Sequence, residues 1–143
     1  MSTVCLDASV VGMLISPDEW SESAIVRTEE ARLNGDRLIA PSLLPYETLS
    51  ILRKKETRKL LTGLEILAAL RYFQALQLEM IHVEYLMERT LSLCQNIGSK
   101  LTPYDAAYLV VAEEHDATLW TADKSFFDLV SPAFSNVEWI GRG

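Results

Sequence analysis

The chain has 143 residues, 49% of them apolar and 23% charged. That length suits one buried core and is short for two, and the composition excludes disorder, collagen and coiled coil as the main state. Thirteen basic side chains against twenty acidic give a net charge of −7. This argues against a surface that grips duplex DNA as a whole, but leaves room for a local basic patch or a carboxylate cluster neutralised by a cation.

The predicted elements alternate between strand and helix. Residues 3–6 (TVCL) form a short apolar strand that stops at Asp7. A helical stretch, Ser9–Ile15, follows. Ser16-Pro17-Asp18 reads as the start of a second helix, with the proline in its first turn and Asn34-Gly35 as its terminator. Leu38–Ala40 is a second buried strand, closed by Pro41. Residues 43–55 form a helix with Leu44, Thr48, Ile51 and Leu52 on one side, and residues 62–76 form another, opened by Thr62. Leu78–Val83 reads as a third strand, and residues 84–97 as a helix closed by Gly98. Thr102-Pro103-Tyr104-Asp105 opens the best-marked helix, which runs to about Glu114. Thr118–Thr121 and Val137–Ile140 complete a set of five strands.

Short apolar strands separated by helices point to an α/β fold, a mainly parallel sheet covered on both faces. With no repeat, low-complexity tract or linker, residues 1–143 are expected to form a single domain. Right-handed crossovers bring ligand sites to the carboxyl ends of the strands, near a switch in strand order.

Four carboxylates are expected at that edge. Asp7 directly follows the first strand and Asp123 the fourth. Glu47 and Asp105 stand in the first turns of helices that begin at the same end. Such acids repel one another unless a cation intervenes. An oxygen-rich set without soft ligands favours Mg²⁺ or Mn²⁺, ions that serve phosphodiester chemistry.

Four segments carry a resemblance: Val4–Ser9, Pro41–Glu47, Leu101–Tyr108 and Leu119–Phe126. In this order they resemble the signature of the PIN-domain family, over residues 3 to about 140, and most resemble the VapC-type toxins of toxin–antitoxin pairs. The resemblance implies a three-layer α/β/α ribonuclease dependent on Mg²⁺ or Mn²⁺, cutting RNA as an endonuclease. It makes Asp7, Glu47, Asp105 and Asp123 the catalytic, metal-holding acids. Ser9 and Thr121 match the supporting hydroxyls, and Asp128 a further outer acid. It also implies a homodimer held inactive by a small antitoxin lying in a groove near the site.

Each acid has a plainer reading. Asp7 can cap the next helix, Glu47 can complement a helix dipole, Asp105 can occupy a capping-box position, and Asp123 can end a strand in a turn. Ser9 and Thr121 can simply cap backbone groups. His82 reads as a strand residue and His115 as a helix end, and neither has the spacing of a ligand or a base.

Residues 53–59 hold five basic residues and one acid, a local charge of +4 that leaves −11 on the rest of the chain. Lys124, beside Asp123, is the better-placed phosphate contact. Tyr46 and Tyr104 flank acids and can stack on a base, though packing is their plainer role. The 60–73 region, with Leu60, Leu61, Leu64, Leu67, Ala68, Tyr72 and Phe73, is too apolar for one buried face and suggests a partner surface, which Trp20 and Ile25 can join.

Two other functions compete. One is an idle binding module on the same fold. The other is a phosphatase-type hydrolase with an aspartyl nucleophile, which would want a second acid where Ser9 stands. Cys5 and Cys94 read as buried free thiols suited to a reducing cytoplasm. The first sixteen residues lack the basic start of a signal peptide, and no apolar run approaches the roughly 18 residues of a membrane span.

Overall fold

The computed structural model describes residues 2–141. Five strands form its sheet: β1 (Thr3–Leu6), β2 (Arg37–Pro41), β3 (Glu79–Ile81), β4 (Thr118–Thr121) and β5 (Val137–Trp139). Their order is β3-β2-β1-β4-β5, and every neighbouring pair is parallel. β1 is central, with Cys5 opposite Ile39 on one side and Leu119 on the other. Its Val4, Cys5 and Leu6 are buried in succession, as expected of a strand covered on both faces.

The helices are α1 (Ala8–Ile15), α2 (Glu22–Leu33), α3 (Leu44–Thr57), α4 (Gly63–Leu76), α5 (Met87–Ile97), α6 (Pro103–Glu114) and α7 (Lys124–Val130), with a 3₁₀ turn at Glu84–Leu86. α1 packs against α2, α3 and α4, whereas α6 packs against β1, β2 and β4 with α5 against it. The chain moves outward from β1 to β3 and then crosses back to β4. Right-handed crossovers therefore place the two helical groups on opposite faces. The result is a three-layer α/β/α arrangement whose crevice opens where the β1 and β4 ends lie side by side.

Helix starts follow their capping chemistry. Thr62 caps α4 in a reciprocal pair with Glu65, and Thr102 caps α6 with Pro103 in its first turn. Gly35 at φ +75° lets the chain turn left-handed after α2, the conformation that favours glycine.

Four expectations need correction. The second helix begins at Glu22, not at Pro17. The Asp18 carboxylate accepts from Trp20 N–H and the Ser21 hydroxyl, so residues 16–21 form a side-chain-held turn instead. The third strand ends at Ile81, which leaves His82 outside it and exposed. Residues 124–130 form a helix that is absent from the predicted elements, begun by Asp123. Cys94 is only partly buried, whereas Cys5 is fully buried; both are free thiols.

α4 is indeed under-buried. Leu60, Leu64, Leu67 and Tyr72 are exposed and Leu61 and Phe73 partly so, with Trp20 and Ile25 also exposed. Among the described residues, no helix is long and apolar enough to cross a membrane.

Candidate active site: a carboxylate edge

Asp7 leaves β1 still tied to the sheet, its N–H donating to the Trp120 carbonyl at 3.2 Å. Its Oδ1 accepts from Val10 N–H at 3.1 Å and from the Ser9 hydroxyl at 2.5 Å. The side chain is buried, and it does cap α1. Ser9 Oγ in turn accepts from Ala122 N–H at 2.8 Å and lies 3.5 Å from Thr121 Oγ1. Thr121 Oγ1 accepts from Asp123 N–H at 3.1 Å, and Asp123 Oδ1 accepts from Phe126 N–H to begin α7. Ser9 and Thr121 thus both support an acid and cap backbone groups. They stitch the β1 end to the β4 end and fix where Asp7 and Asp123 stand.

Glu47 lies in the first turns of α3, behind Pro45, and Asp105 in the first turn of α6. The Tyr108 hydroxyl donates to Glu47 Oε1 at 2.7 Å. Sequence alone assigns Tyr108 no role, because its partner is 61 positions away.

The four acids influence one another. Burial pushes the Asp7 carboxyl up to about 6. The Asp123 charge adds to this, while bonds from Ser9, Thr121 and Val10 oppose it. Burial raises Asp105 as well, with the Asp123 charge adding and Thr102 opposing. Burial also raises Glu47, and there Tyr108 opposes while the Asp105 charge adds. Interaction therefore runs from Asp7 through Asp123 and Asp105 to Glu47. Burial and the neighbouring carboxylate keep the Tyr108 phenol protonated.

Among the described residues, none of these four acids is in an ion pair. Lys124 does not supply one. Its ammonium bonds Asp128 at 2.9 Å and lies over the Phe127 and Trp139 rings. A cleft of about 480 Å³ is lined by Lys100, Asp105, Asp123, Ser125 and Asp128. Lys100 is exposed there and has no ion pair among the described residues, a position that sequence adjacency does not reveal. Asp128 joins the cleft wall but is tied to Lys124. A second hollow of about 450 Å³ holds Glu47 with Tyr46 and Tyr104. Both tyrosines are exposed rather than packed in the core. Another concavity, about 510 Å³, is apolar and holds none of the four acids.

Among the described residues, no three His, Cys, Asp or Glu side chains converge into a ready metal cluster. The acids share an edge and interact in pairs. The chemistry of the donor set nevertheless fits a hard divalent cation: carboxylate oxygens only, with Asp7 buried, Glu47 and Asp105 half-buried and Asp123 exposed, and none of them in an ion pair among the described residues. His82 is exposed beside Glu84, and His115 ends α6 near Arg37, so neither histidine belongs to this edge.

A family model described as the PIN domain matches residues 4–131. Several solved structures are similar, among them the following three. PAE2754 from Pyrobaculum aerophilum is 22% identical, with a TM-score of 0.66 over 90% of this chain and 79% of that one. A toxin–antitoxin complex from Klebsiella pneumoniae is 19% identical, with a TM-score of 0.62 over 94% and 95%. FitAcB from Neisseria gonorrhoeae is 18% identical, with a TM-score of 0.57 over 96% of each chain. At these identities the likeness establishes the fold. No curated protein matches.

Proposed function

We propose that this chain, which belongs to the PIN domain family, is a metal-dependent ribonuclease that cuts RNA at internal phosphodiesters and serves as the toxin of a VapC-like toxin–antitoxin pair. The observation that carries this reading is the run of interacting carboxylates formed by Asp7 and Asp123 after β1 and β4, Asp105 at the start of α6 and Glu47 on α3, none of them in an ion pair among the described residues. Asp7, Asp105 and Asp123 would hold the principal Mg²⁺ or Mn²⁺, and Glu47 would complete the set. When bound, such an ion supplies positive charge at the phosphoryl oxygens and acidifies water.

The chain's own groups supply the rest. Ser9 and Thr121 hold Asp7 and Asp123 in place. Glu47 orients the attacking water, so no histidine base is needed. Lys100, rather than the occupied Lys124, meets a backbone phosphate in the cleft beside Asp105 and Asp123.

The membership of one similar structure in a toxin–antitoxin complex supports an antitoxin partner. The exposed Leu60, Leu64, Leu67 and Tyr72 give such a partner an apolar surface. Tyr85, Met87 and Leu91 offer another for a second copy in a homodimer. We read residues 1–143 as one domain. Its free cysteines suit the cytoplasm.

A second reading, an idle PIN-fold binding module, is favoured by one observation: among the described residues, the acids do not converge into a ready cluster. A pool of unstructured RNAs incubated in Mn²⁺, in Mg²⁺ and in chelator separates the two. The nuclease reading expects new internal ends with metal, none in chelator, and none with Asp105→Asn. Intact RNA under every condition, from a broad pool and total cellular RNA alike, would favour the idle module.

A further inference from the structure

We propose that Tyr108 is a positioning residue for the carboxylate edge, holding one oxygen of Glu47 so that the other is presented to a divalent cation. The inference rests on the metal-dependent reading above. Glu47 stands on α3 and Tyr108 on α6, and the bond between them ties the two helices at 2.7 Å. Tyr108 is 2% exposed and its ring belongs to the core cluster. A phenol has few torsions, and packing on every side fixes them. A hydroxyl donating to a carboxylate at this distance is a charge-assisted bond, stronger than a neutral one.

Glu47 has no such restraint of its own. It is only partly buried, and among the described residues it makes no ion pair and its Oε2 has no hydrogen bond. A free glutamate side chain has considerable rotamer entropy to lose on binding an ion. Tyr108 removes part of that cost in advance. Asp105 and Tyr108 are three positions apart on α6 and therefore share a face. The helix that brings one acid to the edge also carries the hydroxyl that orients another. Hydrogen-bonding partners behind metal-binding side chains typically matter by about 10- to 100-fold in affinity.

Calorimetric titration with Mn²⁺ alone tests this on four proteins: wild type, Tyr108→Phe, Glu47→Ala and the double variant. Tyr108→Phe is expected to bind Mn²⁺ about tenfold more weakly. Glu47→Ala should lose at least as much, and the double variant should lose no more than Glu47→Ala. That non-additivity is what a role exerted through Glu47 requires, and a general packing role would not produce it. Unchanged Mn²⁺ affinity in Tyr108→Phe overturns the inference. So does a further loss of about tenfold when Tyr108→Phe is combined with Glu47→Ala. Wild type that binds no Mn²⁺ overturns the metal reading and this inference with it, an outcome visible before any variant is compared. Should Tyr108→Phe fail to fold, Glu47→Asp takes its place. The charge is kept, but the shortened side chain cannot span hydroxyl and cation, so about tenfold weaker binding is again expected, and unchanged binding refutes it.

Discussion

Replacing Asp7 with Asn removes a charge and little else. Oδ1 takes both the Ser9 and Val10 bonds, and an amide oxygen can keep them. The folded carboxyl titrates near 6 against an ordinary 3.8, so linkage gives about 3 kcal/mol of instability once Asp7 is ionised. The sign follows from proton counting. The folded state binds more protons than the unfolded state between about pH 4 and pH 6, so wild-type stability attributable to Asp7 falls as pH rises through that window. Below about pH 4 the group is protonated in both states and the two proteins should converge. In chelator at pH 8, Asp7→Asn should therefore melt higher than wild type by roughly 10 °C, given the size of the chain. Parallel melts from about pH 4 to about pH 8 measure the gap directly. An Asn variant no more stable than wild type at the upper end, or a gap that does not change with pH, would refute the reasoning.

Other consequences are more local. Lys100→Gln should raise KM for RNA and lower the salt dependence of RNA binding by about 0.7 in logarithmic slope, with Mn²⁺ affinity unchanged; an unaltered slope would remove Lys100 from the interface. Thr62→Ala breaks the reciprocal cap of α4 and should cost about 1 kcal/mol in denaturant unfolding. Gly12 lies inside α1, and a Cβ there would meet Ile51 at an ordinary 3.8 Å. Gly12→Ala should accordingly stabilise the protein by about 0.5–1 kcal/mol, read as a higher denaturant midpoint.

Much of this architecture is legible because its signals are local. The strands are short apolar runs, Thr62 and Thr102 announce their helices, and Gly98 ends α5 at φ +124°. The reading goes wrong where side chains compete with those signals. Pro17 suits a helix start, but Asp18 captures Trp20 and Ser21 and delays the helix to Glu22. α7 is only seven residues long, and its start is the same Asp123 that reads as a turn.

The candidate site divides in the same way. Asp7, Glu47, Asp105 and Asp123 are visible because each sits at the boundary of an element, and a parallel sheet sends those boundaries to one edge. Tyr108 is not visible, since its contact with Glu47 exists only once α3 and α6 meet. Lys124 attracts attention through its neighbour Asp123, yet Asp128 one turn on and two aromatic rings engage it. Lys100 reaches the cleft from a loop that carries no sequence signal.

The central claim is that these acids together hold a divalent cation, and a thermal melt of wild type and Asp105→Asn, each in chelator and in Mn²⁺, tests it most directly. Thr102, not Asp105, caps α6, so Asn leaves the cap bond in place and the comparison chiefly removes the charge. Wild type should gain stability with Mn²⁺ concentration, reaching about 2.7 kcal/mol at a hundredfold excess over its Kd. Asp105→Asn should melt higher than wild type in chelator, because the cost of burying the charge and the repulsion from Asp123 are both relieved, and should gain less from Mn²⁺. Melting temperatures of both proteins that ignore Mn²⁺ would contradict the claim.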